Sequence, residues 1–416
     1  MAFNPTLWSQ LPLEVIEQIL SFLPMPDLCR YCTTCKTWNE LINNPAFSVL
    51  HVRNRNKHSP FIAIHSITTS IQNGHEVYIN GSNVLCFLDI CSRKWYSMKP
   101  RDALEPSFQF DPRHFQIVAM DGGLVLLKAL KRTSNLCHHE SGCTQLCVWN
   151  PTKDMKIILP CVPNHGNDLN DLNDLLINLI VDDIAETFKV FVIMRGWKSR
   201  VVDIYDSVMK EWKASSKLEM INRRMYIVIH SIVFQNHLYI LYFSYYMPPY
   251  FDLHALYELW RYNYVADIWE GLHFAEGCFV KPLEHYVYNH GVFEQFVVSG
   301  ERLFVTYRRD IPQYEFEVNE IDIQRRSTKV LLKWTKRHIM RIFDIDVLYF
   351  PNIQVIGFNK SLMLVYNLSR NIVTFDVETK KTNLEWPQLP LRKLRLEEKY
   401  SLMGKQMDFL LPGTLK

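Results

Sequence analysis

Two hydrophobic periods divide the chain. Between residues 7 and 47, apolar positions recur at intervals of three and four, the spacing that gathers them on one side of a helix. Leu13, Ile16, Ile19, Leu20 and Leu23 form the first such stripe. Pro12 suits the first position of that helix, Glu14 and Glu17 lie where a positive helix end favours carboxylates, and Pro24 and Pro26 end it. A second helix is predicted from Asp27, with Leu28, Tyr31, Cys32 and Cys35 on one side and Trp38, Leu41 and Ile42 continuing the pattern. A unit of about forty residues is near the lower limit for an independent core, so it is expected to bury part of its surface against a partner.

From residue 60 onward the period shortens to two. An apolar strand ending in Asp or Asn, followed six residues later by a position that is often Trp, recurs six times. The pairs are Asp89 with Trp95, Asn150 with Lys156, Asp206 with Trp212, Asn263 with Trp269, Asp322 with Thr328 and Asp376 with Thr382. Successive anchors stand 61, 56, 57, 59 and 54 residues apart, which is too even for chance. The Asp or Asn is expected to start a tight turn by bonding its own backbone, and the residue six positions on to open the next strand facing the core. Preceding hairpins such as IVAMDGGLVLLKA and FVVSGERLFVTY supply two further strands per unit. Four strands alone make too small a core, whereas six such sheets arranged radially share one as a β-propeller. To close the ring, FIAIHS (61–66) is predicted as the first blade's inner strand or a donated outer strand, and MDFLLP (407–412) as the segment completing a blade.

The first unit carries a resemblance. Leu11-Pro12-x-Glu14, Ile19-Leu20-x-x-Leu23-Pro24, Asp27-Leu28 and Cys35-Lys36-x-Trp38 fall in the order and spacing of the F-box, although Thr34 stands where that family usually has an aliphatic residue. The repeat resembles the kelch-type propeller found behind the F-box in plant F-box/kelch-repeat proteins, but the paired glycines of kelch strands are reduced to Gly122-Gly123. The fold expected is therefore multidomain, α then all-β: an F-box over residues 1–48, a linker over 49–60 and a six-bladed kelch-like β-propeller over 61–416. The resemblance implies a substrate-recognition subunit of an SCF ubiquitin ligase that does no bond chemistry itself. Leu11, Pro12, Ile16, Ile19, Leu20, Leu23, Pro24, Leu28 and Trp38 would form or shape the surface for a Skp1-like adaptor, and through it for cullin and RING subunits.

Composition sharpens this picture. With 48% hydrophobic and 13% aromatic residues the chain is not a disordered one. The 46 Lys and Arg against 43 Asp and Glu leave +3, so no global field marks nucleic acid or an anionic membrane as the partner. The N-terminus lacks a basic, apolar leader and no run of apolar residues is long enough to span a bilayer, which predicts residence in the nucleus and/or cytoplasm. Ten cysteines are then expected as thiols.

Long insertions at 131–145, 164–176, 244–257 and 275–291 are predicted on the propeller face that carries the blade-to-blade connections, the natural place for recognition. Tyr245, Tyr246, Tyr250 and Phe251, flanking Met247-Pro248-Pro249, are the candidate substrate-binding residues, since Tyr supplies large contact area with few rotors. Cys137, His139 and Cys143 are of zinc-ligating type, but adjacent histidines do not share a tetrahedral site easily, and a plain loop is favoured. The Asp-Leu-Asn repeat of 168–173 lacks the glycine and terminal Glu of a calcium loop. Nucleophile-elbow, phosphate-loop and zinc-protease motifs are absent, so no catalytic residue and no cofactor is expected. The competing readings are a propeller enzyme or small-ligand receptor, which would need polar residues converging on inner strands that read as mostly apolar, and a scaffold outside any ligase.

Overall fold

The structure, a computed structural model, describes residues 11–23, 25–54, 61–72, 75–78, 84–98, 115–129, 146–150, 155–163, 175–182, 185, 187–194, 201–218, 224–246, 256–274, 292–309, 314–345, 353–366, 369–390 and 398–407. Among the described residues four helices precede the strands: α1 (Leu13–Leu20), α2 (Met25–Cys32), α3 (Lys36–Ile42) and α4 (Pro45–Arg53). Ile16, Leu20, Leu28, Ile42 and Phe47 form their core, with Leu11, Leu23, Cys32, Trp38 and Leu41 packed against it. The single second helix expected from the sequence is two. Thr33 and Thr34 turn the chain by donating their hydroxyls to the Arg30 carbonyl, and the Cys35 thiol caps α3 by accepting the Trp38 N–H at 3.5 Å. Cys32 and Cys35 are therefore not on one helix. α4 runs to Arg53, through the first residues of the segment read as a linker, while 55–60 lie outside the described residues. It is tied back by Asn54 Nδ2 donating to Ser21 Oγ at 2.7 Å and by His51 Nε2, 3.2 Å from the Leu23 carbonyl.

Six antiparallel sheets follow. From the centre outward, blade 2 is Phe115–Asp121, Leu124–Ala129, Leu146–Asn150 and Met155–Ile158; blade 3 is Leu175–Asp182, Thr187–Met194, Asp203–Asp206 and Glu211–Ala214. Blade 4 is Arg224–Phe234, His237–Tyr246, Leu256–Asn263 and Ile268–Leu272; blade 5 is Val292–Ser299, Arg302–Arg309, Glu315–Asp322 and Ser327–Thr335. Blade 6 is Ile353–Phe358, Ser361–Tyr366, Ile372–Asp376 and Thr382–Asn383. The first strands of blades 2 to 6 adjoin one another in order, and Glu398–Met407 fills the gap between blade 6 and blade 2, so the ring is closed.

Blade 1 departs from the expectation. Its centre is the last described strand, Glu398–Met407, paired with Phe61–Gln72 from Phe61↔Met407 to Ser70↔Glu398. Val84–Asp89 and Lys94–Met98 complete it, and His75–Tyr78 pairs the far end of Phe61–Gln72. FIAIHS is thus the second strand, neither inner nor outer, because the C-terminal strand takes the inner place. The closing strand lies upstream of the apolar MDFLLP, of which only Met407 is among the described residues.

Second strands carry continuous apolar runs, such as residues 124–127, 190–194 and 362–366, because each blade is covered on both sides. In blade 2, Leu124 and Leu126 pack toward blade 3 while Val125 and Leu127 pack toward blade 1, all at most 2% exposed. One such cluster fills each of the six interfaces between blades. Each fully buried Leu or Val contributes about 1.5–3 kcal/mol relative to exposure.

Polar staples supplement these cores. Asp121 accepts the Val181 N–H at 2.8 Å, Asn178 donates to Ser231 Oγ at 2.7 Å, and Gln295 donates to the Val355 carbonyl at 2.5 Å. The repeat tryptophans do likewise. Trp95, Trp212 and Trp269 donate their indole N–H to the carbonyls of Pro387, Pro160 and Ser216, each in the segment leaving the preceding blade. These half-buried rings bridge blades as well as packing, which their expected role as core residues did not include.

Candidate partner-binding surfaces

In the helical unit, burial sorts the adaptor set proposed from the sequence. Ile16, Leu20 and Leu28 are buried and hold the shape, Leu11, Ile19, Leu23 and Trp38 are half-buried, and Pro12 is exposed. Pro24 lies outside the described residues. Among the described residues, the large apolar side chains that reach solvent are Leu13 (49%), Val49 (43%), Val15 (41%), Tyr31 (37%) and Phe22 (36%), and none of these was singled out for the adaptor. Periodicity did not mark them, since Leu13 falls within the apolar stripe of α1 and Val15 stands beside it. The Tyr31 ring leans edge-on against Trp38, centroids 5.0 Å apart.

The propeller has two dissimilar faces. One carries only short turns. On it, Asp89, Asp206, Asn263, Asp322 and Asp376 each accept backbone N–H groups two or three residues ahead, as in Val208→Asp206 at 2.8 Å and Val265→Asn263 at 3.0 Å. Four residues after each of these anchors stands a left-handed residue: Arg93, Lys210, Asp267, Arg326 and Lys380, with φ between 51° and 58°. None is glycine, so the repeat of the conformation is invisible to a search for glycine punctuation. Asp206 works against its partial burial, but Lys189 and the N–H groups of Val208 and Met209 hold its carboxyl below the ordinary value. The Ser216 N–H and the Tyr262 hydroxyl, donating at 2.9 and 2.6 Å, do the same for Asp267.

The opposite face carries the connections between second and third strands and between blades. There, Tyr245 and Tyr246 lie at the end of the second strand of blade 4, opposite Met225 and Arg224. Tyr250 and Phe251 lie outside the described residues, as do Cys137, His139, Cys143 and the Asp-Leu-Asn repeat. Between blades 5 and 6 this face bears the amphipathic α5 (Lys336–Phe343), which buries Ile339 and Phe343.

Between the faces runs an axial channel of about 970 Å³. It is less apolar than the sequence suggested: Gln116, Asn178, His230, Ser231, Gln295 and Gln354 bring polar groups to it from five first strands. The signal is a polar residue four to six positions before each first turn. Among the described residues no group of three or more His, Cys, Asp or Glu is placed to hold a metal ion. Burial pushes the thiols of Cys86 and Cys147 up to about 12, so both stay protonated packing groups. Cys161, exposed on the segment leaving blade 2, is disulfide-bonded, against the expectation of thiols only.

Residues 8–48 match the F-box-like family. This is an F-box-like domain. Among curated proteins, the chain is 34% identical over 65 residues to the F-box protein At3g22700 of Arabidopsis thaliana, covering 16% of this chain and 19% of that one. It is 27% identical over 143 residues to the F-box/kelch-repeat protein At3g23880 of the same plant, covering 34% of each. The chain thus aligns with a fifth to a third of the length of these relatives. Solved structures similar to it include apo AztD from Citrobacter koseri (TM-score 0.36, 8% identity, 84% of this chain and 98% of that one). Another is a putative 6-phosphogluconolactonase from Bacteroides fragilis (TM-score 0.37, 8% identity, 83% and 98%).

The F-box joins the propeller at the short-turn face. Phe61 starts its strand opposite Asp89, the anchor of a short turn, and the Arg30 guanidinium of α2 sits 6.0 Å from the centre of the Tyr96 ring on blade 1. The face with the longer connections therefore opens at the other end of the channel. No helix among the described residues is long and apolar enough to cross a membrane.

Proposed function

We propose that the protein is the substrate-recognition subunit of an SCF-type ubiquitin ligase, acting in the nucleus or cytoplasm. Its F-box docks on a Skp1-like adaptor, which brings the cullin and RING subunits, and its propeller captures a target protein. The observation that carries this reading is the F-box-like domain itself, whose α1 leaves Leu13 and Val15 exposed beside a buried stripe. Apolar side chains exposed together on so small a unit suit a protein interface. The receptor contributes no bond chemistry in this scheme. It holds a target lysine near the ubiquitin-charged enzyme and so raises its effective concentration.

Leu13, Val15 and Phe22 join Pro12 as surface contacts, while Ile16, Leu20 and Leu28 act by keeping the helices in place. The test is capture of a Skp1-type adaptor by the full chain carrying Leu13→Glu and Val15→Glu. Because both side chains are exposed, the expected result is a loss of capture of more than about tenfold with unchanged thermal unfolding. Undiminished capture by that double variant would overturn the reading.

A further inference from the structure

α5 gathers cations on a short exposed helix. Three of its cations, Lys336, Arg337 and Arg341, are exposed, Arg337 and Arg341 on the side opposite the buried Ile339 and Phe343 and Lys336 at the first residue of the helix. Arg337 and Arg341 stand four residues apart, so their like charges face each other across one helical turn. No carboxylate relieves them: no ion pair among the described residues reaches Lys336, Arg337 or Arg341. Other described cations on blades 3 to 6 are mixed: Lys210, Lys329 and Lys380 also reach no carboxylate among the described residues, but several are paired. Lys189 pairs with Asp206, Arg261 with Glu270, Arg302 with Glu320, Lys333 with Glu315 and Glu317, and Lys360 with Glu378.

The cationic side is also held rigidly. Beneath it Phe343 packs between Trp334 and Tyr366, and the Phe343 carbonyl at the helix end accepts bonds from Ser369 Oγ at 2.8 Å and Asn371 Nδ2 at 3.3 Å. α5 projects on the face with the longer connections, away from the end where the F-box joins. A fixed, mutually repelling set of cations placed there is complementary to one chemistry.

We infer that α5 is the docking surface for an acidic segment, rich in Asp and Glu, of the protein that the propeller captures. This rests on the substrate-receptor reading above and names the class of target it takes. The cations steer and orient that segment, while neighbouring connections supply the remaining contacts.

The experiment measures binding of a fluorescent Glu-rich peptide to the full chain, with a Lys-rich peptide of equal length and a polyuridine RNA as competitors. Wild type is expected to bind the Glu-rich peptide with an affinity that falls as salt rises. The triple variant Lys336→Glu, Arg337→Glu, Arg341→Glu is expected to weaken it by about tenfold or more, and Lys360→Glu on the short-turn face to leave it unchanged. Arg337→Gln alone gives a smaller loss in the same direction and guards against a folding defect in the triple variant. Binding by the triple variant within about twofold of wild type, or no binding by wild type, overturns the inference. Tighter binding of polyuridine than of the peptide also overturns it, in favour of nucleic acid. Adaptor capture, measured in parallel, separates this failure from failure of the ligase reading.

Discussion

The two faces of the propeller are built from the same strands and solve different problems. The short-turn face repeats one device, a carboxylate or amide that accepts N–H groups two or three residues ahead with a left-handed residue four positions on, and several of its cations, Lys189, Arg302 and Lys360 among them, are matched by carboxylates. The connections of the opposite face differ in length from blade to blade, and the one helix described there leaves three cations unmatched. Repetition marks what the ring needs to close, and departure from it marks where the ring leaves room for something else.

If the short-turn face is structural, damage near it should cost stability first. Gly357 lies two residues before the first turn of blade 6, and a Cβ there would come 1.8 Å from the Val298 carbonyl oxygen and 2.9 Å from the Ser299 Cβ. Ser299 itself is committed to this seam, donating to the Asn359 and Ser361 carbonyls at 3.0 and 2.9 Å. Backbone on both sides cannot yield as a side chain can, so Gly357→Ala is expected to destabilise by about 3 kcal/mol in urea unfolding. At Gly271 the same added carbon would meet the rim of the Trp260 ring at 3.2 Å. That ring can give way, and Gly271→Ala serves as the control. Equal costs at the two glycines would break the claim that the inner seam is the rigid one.

The next effect is electrostatic and has a definite sign. The Asp206 carboxyl is held below its ordinary value in the folded state, despite partial burial, by Lys189 and two backbone N–H groups. A group depressed in this way contributes stability above the unfolded value, and the contribution disappears as pH falls through the folded value. Asn263 shows that an amide can hold the same turn without charge, accepting two N–H groups at 3.0 Å. Asp206→Asn should therefore cost at most about 1 kcal/mol at neutral pH, since the pair is partly solvated, and almost nothing near pH 2. Urea midpoints of the two proteins that converge in acid support the account, and a constant gap at both pH values refutes it. Asp267 and Asp376, also depressed, add to the loss of wild-type stability in acid.

These cases separate what was legible in the sequence from what was not. The turn anchors could be read because an Asp accepting the N–H groups two and three residues ahead is a local event, visible in eleven-residue windows such as VDIYDSVMKEW. Gly357 could not, because its partner is a carbonyl some sixty residues away on another blade. The closing strand was misplaced for a related reason. EKYSLMGKQM alternates weakly and looks less like a strand than MDFLLP, but its place is fixed by ten backbone pairings with Phe61–Gln72 across the whole chain. In the F-box, period alone found the stripe of α1 but could not say that Leu13 faces solvent while Ile16 does not.

The smallest predicted effect tests the other side of the comparison. If the cations of α5 are kept for a partner and not for the fold, replacing one should not harm the fold. Arg337 is in the first turn of α5, where the positive end of the helix disfavours a cation, and it faces Arg341 one turn on. Arg337→Glu removes both penalties and creates an attractive pair with Arg341. Thermal unfolding of the free protein is therefore expected to show a gain of about 0.5 kcal/mol, the reverse of the usual sign for a random substitution. A loss of stability instead would mean that Arg337 holds α5 in place, and the unmatched charge would then belong to the architecture like the matched ones on the opposite face.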